Sequence, residues 1–127
     1  MTREIIHSDA APAAIGPYAQ AVRSGKLVFL SGQIPLDPVS GQLVAGDIGA
    51  QAHQVFANLQ AVAQAAGGSL AQAVRIGIFL TDLGDFAAVN AVMEALLTPP
   101  YPARATIGVA ALPRGARIEA DAILALD

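Results

Sequence analysis

Two alternating stretches near the carboxyl terminus decide the fold of this chain: Tyr101-Pro-Ala-Arg-Ala-Thr-Ile-Gly-Val109 and Arg117-Ile-Glu-Ala-Asp-Ala-Ile-Leu124. In each stretch apolar residues recur at every second position, which is the period of a strand with one buried face. Pro113-Arg114-Gly115 lies between them and has the composition of a turn. The sequence therefore predicts two strands here, and the simplest arrangement pairs them directly.

Direct pairing of these strands would bring a cation and carboxylates to one surface. Side chains of paired strands alternate together, so one face would carry the polar residues of this region. These residues are Arg104, Thr106, Glu119 and Asp121. A solvent-exposed ion pair of this kind contributes under about 1 kcal/mol and needs no function. The alternative is a polar binding site, which the scarcity of charge elsewhere in the chain favours.

Charge is indeed scarce. Charged residues make up 13% of the 127 residues and hydrophobic residues 54%, whereas ordinary soluble domains carry about 25% charged residues. The length fits a single domain spanning residues 1–127. A monomer of this composition has too few polar side chains to cover its surface, so we expect a buried interface between subunits.

Composition also limits the kinds of partner that the protein can bind. The seven Lys and Arg residues are scattered and the net charge is −3, which predicts no nucleic-acid partner. Without cysteine there is no disulfide and no thiolate nucleophile, and His7 and His53 read as surface residues that complete no metal site. No apolar run approaches the roughly 18 residues of a membrane span, and the N-terminus lacks a signal-peptide core. We therefore expect a cytoplasmic protein with no membrane partner.

Two amphipathic helices are predicted. Apolar residues recur at helical spacing from Ile48 to Ala66, after Asp47 as N-cap and before Gly67 as a stop. A second helix follows the capping segment 81–85, and its predicted buried stripe is Phe86, Val89, Met93 and Leu96. With the predicted strands, this order indicates an α+β fold in which two helices cover one face of a mixed six-stranded sheet. The other face is left uncovered.

Four further residues are candidates for a site. Tyr18 is presented from the rigid turn at Gly16-Pro17. Ser31-Gly32 ends a strand, where glycine permits the close approach of a ligand or of another backbone. Asn90 lies beside the buried stripe, and its amide needs partners. Each also has a plain structural explanation: a half-buried tyrosine, a strand-terminating turn and a local packing bond. The residues alone leave both explanations open.

Five short motifs carry a resemblance to a known family. They are Ala11-Pro-Ala-Ala-Ile-Gly-Pro-Tyr18, Leu30-Ser-Gly-Gln-Ile-Pro35, Asp82-Leu-Gly-Asp-Phe86 with Val89-Asn90, Tyr101-Pro-Ala-Arg104 and Ile118-Glu119. In this order and spacing they resemble the reactive intermediate deaminases, the RidA/YjgF group, over essentially the whole chain. The resemblance implies a chorismate-mutase-like fold and a homotrimer with three sites in the clefts between subunits.

The resemblance also implies an activity. It is the hydrolysis of 2-enamine and 2-imine acids, such as 2-aminoacrylate, 2-iminobutanoate and 2-iminopropanoate, to 2-keto acids and ammonia, without cofactor or metal. Arg104 matches the arginine that binds the substrate carboxylate, and Glu119 matches the glutamate that holds or activates water. The residues at the other substrate-lining positions are Tyr18, Ser31, Gly32, Asn90 and Thr106.

The chain departs from the family pattern in three places. Thr106 stands where well-known members carry cysteine, Met93 replaces an aromatic residue, and the loop 97–101 looks shorter, so the substrate range stays open. The family's strand order also inserts a strand between the two C-terminal ones, against direct pairing. Two other functions remain: a trimeric binding or regulatory protein that holds small carboxylates without turnover, and a ribonuclease, which the acidic composition disfavours.

Overall fold

Six strands and two α-helices form the fold, which a computed structural model describes for residues 2–127. The strands are β1 (Glu4–Ile6), β2 (Ala21–Ser24), β3 (Leu27–Gln33), β4 (Ala73–Leu80), β5 (Ala103–Gly108) and β6 (Ile118–Ala125). The helices are α1 (Ile48–Ala65) and α2 (Phe86–Leu96), and short 3-10 turns occupy Leu70–Gln72, Leu83–Asp85 and Pro113–Gly115. The predicted α+β fold class is thereby confirmed.

The sheet has the strand order β1-β2-β3-β6-β4-β5. The last strand of the chain, β6, lies between β3 and β4 and is antiparallel to both, whereas β4 and β5 are parallel. Direct pairing of β5 with β6 is therefore wrong, because β4 separates them. The central position buries Ile118, Ala120, Ala122 and Leu124 completely or nearly so, which an edge position would not achieve.

One face of the sheet carries the core. The buried side chains of β4 and β6 alternate in register, so that Ile76 and Ile78 lie beside Ala122 and Ala120. They form one hydrophobic cluster with residues of both helices, such as Leu59 of α1 and Val89 of α2. Two helices on one face of a mixed sheet is the predicted architecture.

The opposite face of the sheet is open. Leu27 and Phe29 of β3 are 41% and 45% exposed, and Ile107 of β5 is 49% exposed. These are apolar side chains on a surface that no element within residues 2–127 covers. The expected subunit interface stays a prediction, and this face is the place where it would form.

Helix α1 begins as the sequence predicts. The Asp47 carboxylate accepts a hydrogen bond of 3.0 Å from the Ala50 amide, which satisfies one of the donors that a helix start leaves unpaired. At the other end Gly67 adopts a φ of 87°, a conformation that favours glycine. His53 lies on the exposed side of the helix, as predicted.

Helix α2 differs from the prediction at both ends of its stripe. Val89 and Met93 are buried, but Phe86 and Leu96 are 40% and 46% exposed, and Val92 is buried instead. The reason is that α2 packs against α1 as well as the sheet. Packing on two sides moves the buried stripe toward Val92 and leaves Phe86 at the edge.

An ion pair joins the start of α2 to the start of β6. Arg117 Nη2 lies 3.0 Å and 2.9 Å from the two carboxylate oxygens of Asp85. The Arg117 amide donates to Oε1 of the buried Gln51 in α1, and its carbonyl accepts from the Thr81 amide. One residue thus fixes α1, α2 and the end of β4 relative to β6.

The N-cap provides a test of α1. Replacing Asp47 with alanine should lower the free energy of unfolding by about 1 kcal/mol, because the Ala50 amide loses its acceptor. Asp47→Ser retains a hydroxyl acceptor and should restore most of that loss. Urea unfolding at one fixed protein concentration checks both variants, since association would add a concentration-dependent term. Equal stability of Asp47→Ala and the parent would contradict the assignment.

Candidate functional site

All predicted site residues except Thr106 are found in two separate cavities. We call the first, lined by Tyr18, Ser31, Gly32 and Glu119 among others, the carboxylate cavity; its volume is about 690 Å³. We call the second, lined by Asn90, Met93, Tyr101 and Arg104 among others, the guanidinium cavity; its volume is about 440 Å³. The predicted proximity of Arg104 to Glu119 in one cleft is therefore not found within a single chain.

The sheet register explains the separation. Arg104 pairs with the buried Ile76, so its side chain lies on the face that the helices cover. Glu119 pairs with Phe79, which alternates with Ile76 and Ile78 and therefore belongs to the open face. The prediction that Arg104 and Glu119 share a face fails because inserting β4 changes the register between the two strands.

A buried glutamine builds the wall of the carboxylate cavity. The side chain of Gln20, 3% exposed, accepts a 2.7 Å hydrogen bond from the Ser8 amide and donates to the carbonyls of Ser8 and Pro12. These bonds fix the irregular segment between β1 and β2 against the sheet. Gln20 was not among the residues that the sequence singled out.

Ser31 and Gly32 have different parts in this cavity. The Ser31 hydroxyl donates a 2.6 Å hydrogen bond to the Ala19 carbonyl, so it is committed to the neighbouring segment. Gly32 provides space, because a Cβ at this position would overlap the carboxylate of Glu119 and lie 2.9 Å from its Cδ. The close approach that the sequence predicted for Gly32 is an approach by a carboxylate of the same chain.

Tyr18 lies at the mouth of the carboxylate cavity. Gly16 adopts a φ of 127°, which L side chains rarely adopt, and turns the chain so that the Tyr18 ring is 52% exposed. The phenol oxygen lies 3.4 Å from the Ile15 amide, a long hydrogen bond that leaves the hydroxyl accessible. Tyr18 is thus a half-exposed residue that a ligand or a second chain could contact.

The Glu119 carboxyl group has an altered proton affinity. Burial raises the pKa of this group above its ordinary value, and the negative charge of Asp121 raises it further. Asp121 lies two residues along the same face of β6, with one oxygen 3.9 Å from Arg75 Nη1. Gly77 of β4 makes room for it, since a Cβ there would overlap that oxygen. The Glu119 carboxyl group therefore holds its proton more readily than an exposed glutamate does.

The guanidinium of Arg104 is held by three side chains of α2. Its Nη1 donates to Oδ1 of Asn90 at 2.5 Å and lies 3.5 Å from the sulfur of Met93. Its central carbon lies 5.2 Å from the centre of the Phe86 ring. Among residues 2–127, Nε and Nη2 of Arg104 have no hydrogen-bond partner. The arginine is therefore oriented by one nitrogen and keeps a two-pronged edge for an external acceptor.

Thr106 belongs to neither cavity. It lies on the same face as Arg104, and its Oγ1 is buried with no partner in the described part of the chain.

The Asn90 amide makes one of the bonds that the sequence left open, which is a hydrogen bond from the Arg104 guanidinium. Phe86 and Met93 were missed as neighbours of Arg104, although their spacing from Asn90 along one side of a helix is visible in the sequence.

Residues 2–127 contain neither a cluster of metal ligands nor a helix that could span a membrane. No group of three or more His, Cys, Asp or Glu side chains is close enough to hold a metal ion. Neither helix has the length and apolar character that crossing a bilayer requires.

These features define a class: small α+β proteins with two helices on one sheet face and polar cavities on either side. Within this class, a family model described as endoribonuclease L-PSP matches residues 8–126. The chain belongs to this family, which is the RidA/YjgF family.

Individual relatives are similar over nearly their full length. Protein DfrA of Myxococcus xanthus is 58% identical over 125 residues, which cover 97% of this chain and 95% of the relative. A protein of Dermatophagoides farinae named 2-iminobutanoate/2-iminopropanoate deaminase is 42% identical over 98% of both chains. The crystal structure of RidA from an Antarctic Psychrobacter has a TM-score of 0.94 at 50% identity, covering 97% of this chain and 99% of that one. The family predicted from the motifs is confirmed.

The influence of Asp121 on the pKa of Glu119 can be tested by substitution. Asp121→Asn removes a negative charge beside Glu119, so the pKa of Glu119 should fall toward its ordinary value. It should remain raised, because burial is the larger cause and is unchanged. Carbon-13 NMR titration of the Glu119 carboxyl measures the shift, with the exposed Asp9→Asn as the control that leaves it unaltered. An unchanged or higher pKa in Asp121→Asn would refute the coupling.

Proposed function

We propose that this protein hydrolyses small 2-enamine and 2-imine acids to 2-keto acids and ammonia, in sites formed between the subunits of a homotrimer. The observation that carries the proposal is the oriented guanidinium of Arg104, whose Nε and Nη2 have no hydrogen-bond partner within residues 2–127. It is supported by the names of relatives at 42–45% identity, which are 2-iminobutanoate/2-iminopropanoate deaminases.

Arg104 binds the substrate carboxylate in this proposal. Nε and Nη2 form a fork that matches the two oxygens of a carboxylate through parallel, charge-assisted hydrogen bonds. Because Asn90 holds Nη1, the fork has one preferred direction. A planar 2-imine acid bound in this way has its C=N carbon at a fixed distance from the arginine, which is the orientation that hydrolysis requires.

Glu119 handles the proton. In its ionised form it accepts a proton from water as the water oxygen attacks the carbon of the protonated imine, C=NH2+, and the product is a neutral carbinolamine. It returns this proton to the nitrogen, then takes the hydroxyl proton as the C–N bond breaks, so that the 2-keto acid and ammonia are released and the ammonia takes up the proton from Glu119. An enamine enters the same sequence after its terminal carbon takes a proton. A raised pKa brings the carboxyl closer to the pH at which it can both accept and donate.

A second copy of the chain is needed to complete this site. Arg104 and Glu119 line different cavities on opposite faces of one sheet, so the two groups meet only if Arg104 of one subunit faces Glu119 of another. The open sheet face, with its exposed apolar side chains, is the surface that association would bury. A cyclic trimer satisfies both requirements with three equivalent clefts.

A second function follows from the same geometry. The carboxylate-binding half is complete within one chain, whereas the proton-handling group lies in the other cavity. A protein that holds small carboxylates through Arg104 without turnover would need only the first half. The description of the family model is the support for a ribonuclease, and the net charge of −3 disfavours the binding of phosphates that this function needs.

One coupled assay separates the two functions. A serine/threonine dehydratase generates 2-aminoacrylate or 2-aminocrotonate in the presence of this protein, and the release of keto acid is followed over time. Faster release than in buffer supports the hydrolase. Binding of 2-ketobutyrate without any acceleration supports the carboxylate-binding alternative and overturns the proposed reaction.

Substitutions at the two charged positions should separate binding from chemistry. Arg104→Lys keeps the charge but loses the fork, which should cost about 2–4 kcal/mol in transition-state stabilisation and lower kcat/KM by orders of magnitude. Glu119→Gln should preserve the affinity for 2-ketobutyrate and lower the rate. Calorimetry and the coupled assay measure these effects. Tight keto-acid binding by Arg104→Lys, or parental turnover by Glu119→Gln, would disprove the role concerned.

Mixed oligomers test the composite site. Glu119→Gln and Arg104→Lys subunits should each have low activity alone, but a cleft that takes Arg104 from the first and Glu119 from the second is intact. Random mixing of equal amounts into cyclic trimers should therefore restore about a quarter of the clefts. The two variants are unfolded together, refolded and assayed beside each variant refolded alone. A mixture no more active than its components, or a stable monomer by sedimentation equilibrium, would rule out the composite site.

A further inference from the structure

We infer that Phe86 and Met93 are positioning residues for Arg104, which hold its guanidinium in the orientation that binds a planar carboxylate. The inference deepens the proposed function, because it concerns the same arginine. It goes beyond the predicted site, which included neither residue. Three observations carry it: the spacing of the two residues on α2, their contacts with Arg104 and their exposure.

The spacing places both residues on one side of the helix with Asn90. Phe86, Asn90 and Met93 follow one another by four and then three residues, so they form a single stripe along α2. β5 is an edge strand, and Arg104 projects from it against this stripe. Three consecutive positions of the stripe therefore contact one guanidinium.

Each contact uses a different property of the guanidinium. The amide oxygen of Asn90 and the sulfur of Met93 both lie near Nη1, at 2.5 Å and 3.5 Å. The Phe86 ring faces the central carbon at 5.2 Å, within the range of a cation–π interaction. Asn90 and Met93 thus hold Nη1, the nitrogen that would not contact the ligand. Phe86 holds the plane of the guanidinium.

The exposure of Phe86 argues against a purely structural role. Phe86 does not belong to the hydrophobic core cluster: it is 40% exposed, and its ring lies over the Arg104 guanidinium. Its position over the cation shields one face of the guanidinium from water, which strengthens the hydrogen bonds that the free edge can make. Met93 is 7% exposed and serves both the core and the arginine.

The substitutions for a test follow from these contacts. Phe86→Leu keeps an apolar side chain and removes the π face, whereas Phe86→Tyr keeps the π face. Met93→Leu keeps nearly the same volume and removes the sulfur. Leu96→Ala is the matched control, because Leu96 is a similarly exposed apolar residue of the same helix that does not contact Arg104.

Two measurements are made on each variant as the full chain. The first is NMR of the Arg104 side-chain nitrogens without ligand, which reports how fast the guanidinium rotates; Arg104→Lys assigns the signals. The second is calorimetric titration of 2-ketobutyrate. In Phe86→Leu the Arg104 guanidinium should rotate faster, and 2-ketobutyrate should bind roughly three- to tenfold more weakly, the range expected for the loss of one cation–π contact. The guanidinium should also rotate faster in Met93→Leu. Phe86→Tyr and Leu96→Ala should match the parent in both measurements.

The outcomes separate this inference from the proposed function. Unchanged guanidinium rotation in both Phe86→Leu and Met93→Leu overturns the positioning role, even if the parent hydrolyses imines. Equal weakening by Phe86→Tyr and Phe86→Leu also overturns it, because the π face would then be irrelevant. A parent that neither binds 2-ketobutyrate nor hydrolyses imines overturns the proposed function, while the rotation measurement still decides whether Phe86 and Met93 hold the arginine.

Discussion

The burial of β6 between β3 and β4 is the constraint on which the rest of the structure depends. A strand with neighbours on both sides cannot change its register without breaking two ladders, so its inward and outward residues are fixed. Its inward residues complete the core under the helices. Its outward residues, Glu119 and Asp121, are thereby held on a face that carries apolar side chains. The neighbours that make room for these two carboxylates are Gly32 on one flanking strand and Gly77 on the other.

The edge strand β5 has the opposite character. Only one of its sides is paired, and most of its residues are exposed, so its arginine depends on α2 rather than on the sheet for a defined position. The ion pair between Arg117 and Asp85 fixes α2 relative to β6. The two cavities are therefore parts of one rigid arrangement although they open on different faces. The group proposed to bind substrate and the group proposed to handle the proton therefore point in different directions, as a site shared between copies of the chain would require.

Much of this could be predicted from the sequence, because it depends on local patterns. The period of the strands, the Asp47 cap and the order of elements specified the fold class, and five motifs in register specified the family. The neighbours of β6 could not be predicted from its own alternation, which is compatible with any partner strand. For the same reason the sequence could not show that Arg104 and Glu119 face apart. Phe86 was wrongly predicted to be buried, because helical periodicity indicates a buried stripe but not how far packing against a second helix shifts that stripe around the helix. Gln20 gave no pattern, since its partners are backbone groups of an irregular segment.

The space above Gly32 has a consequence for how this chain can vary. Its backbone needs no unusual torsion angle, and the nearest atoms that a Cβ there would meet all belong to the side chain of Glu119. The two positions therefore constrain each other: a methyl group at 32 makes a glutamate at 119 turn aside, whereas a shorter residue at 119 reduces the overlap. A homologue with a larger residue at 32 would accordingly hold its carboxylate at 119 in another direction, or carry a shorter residue there.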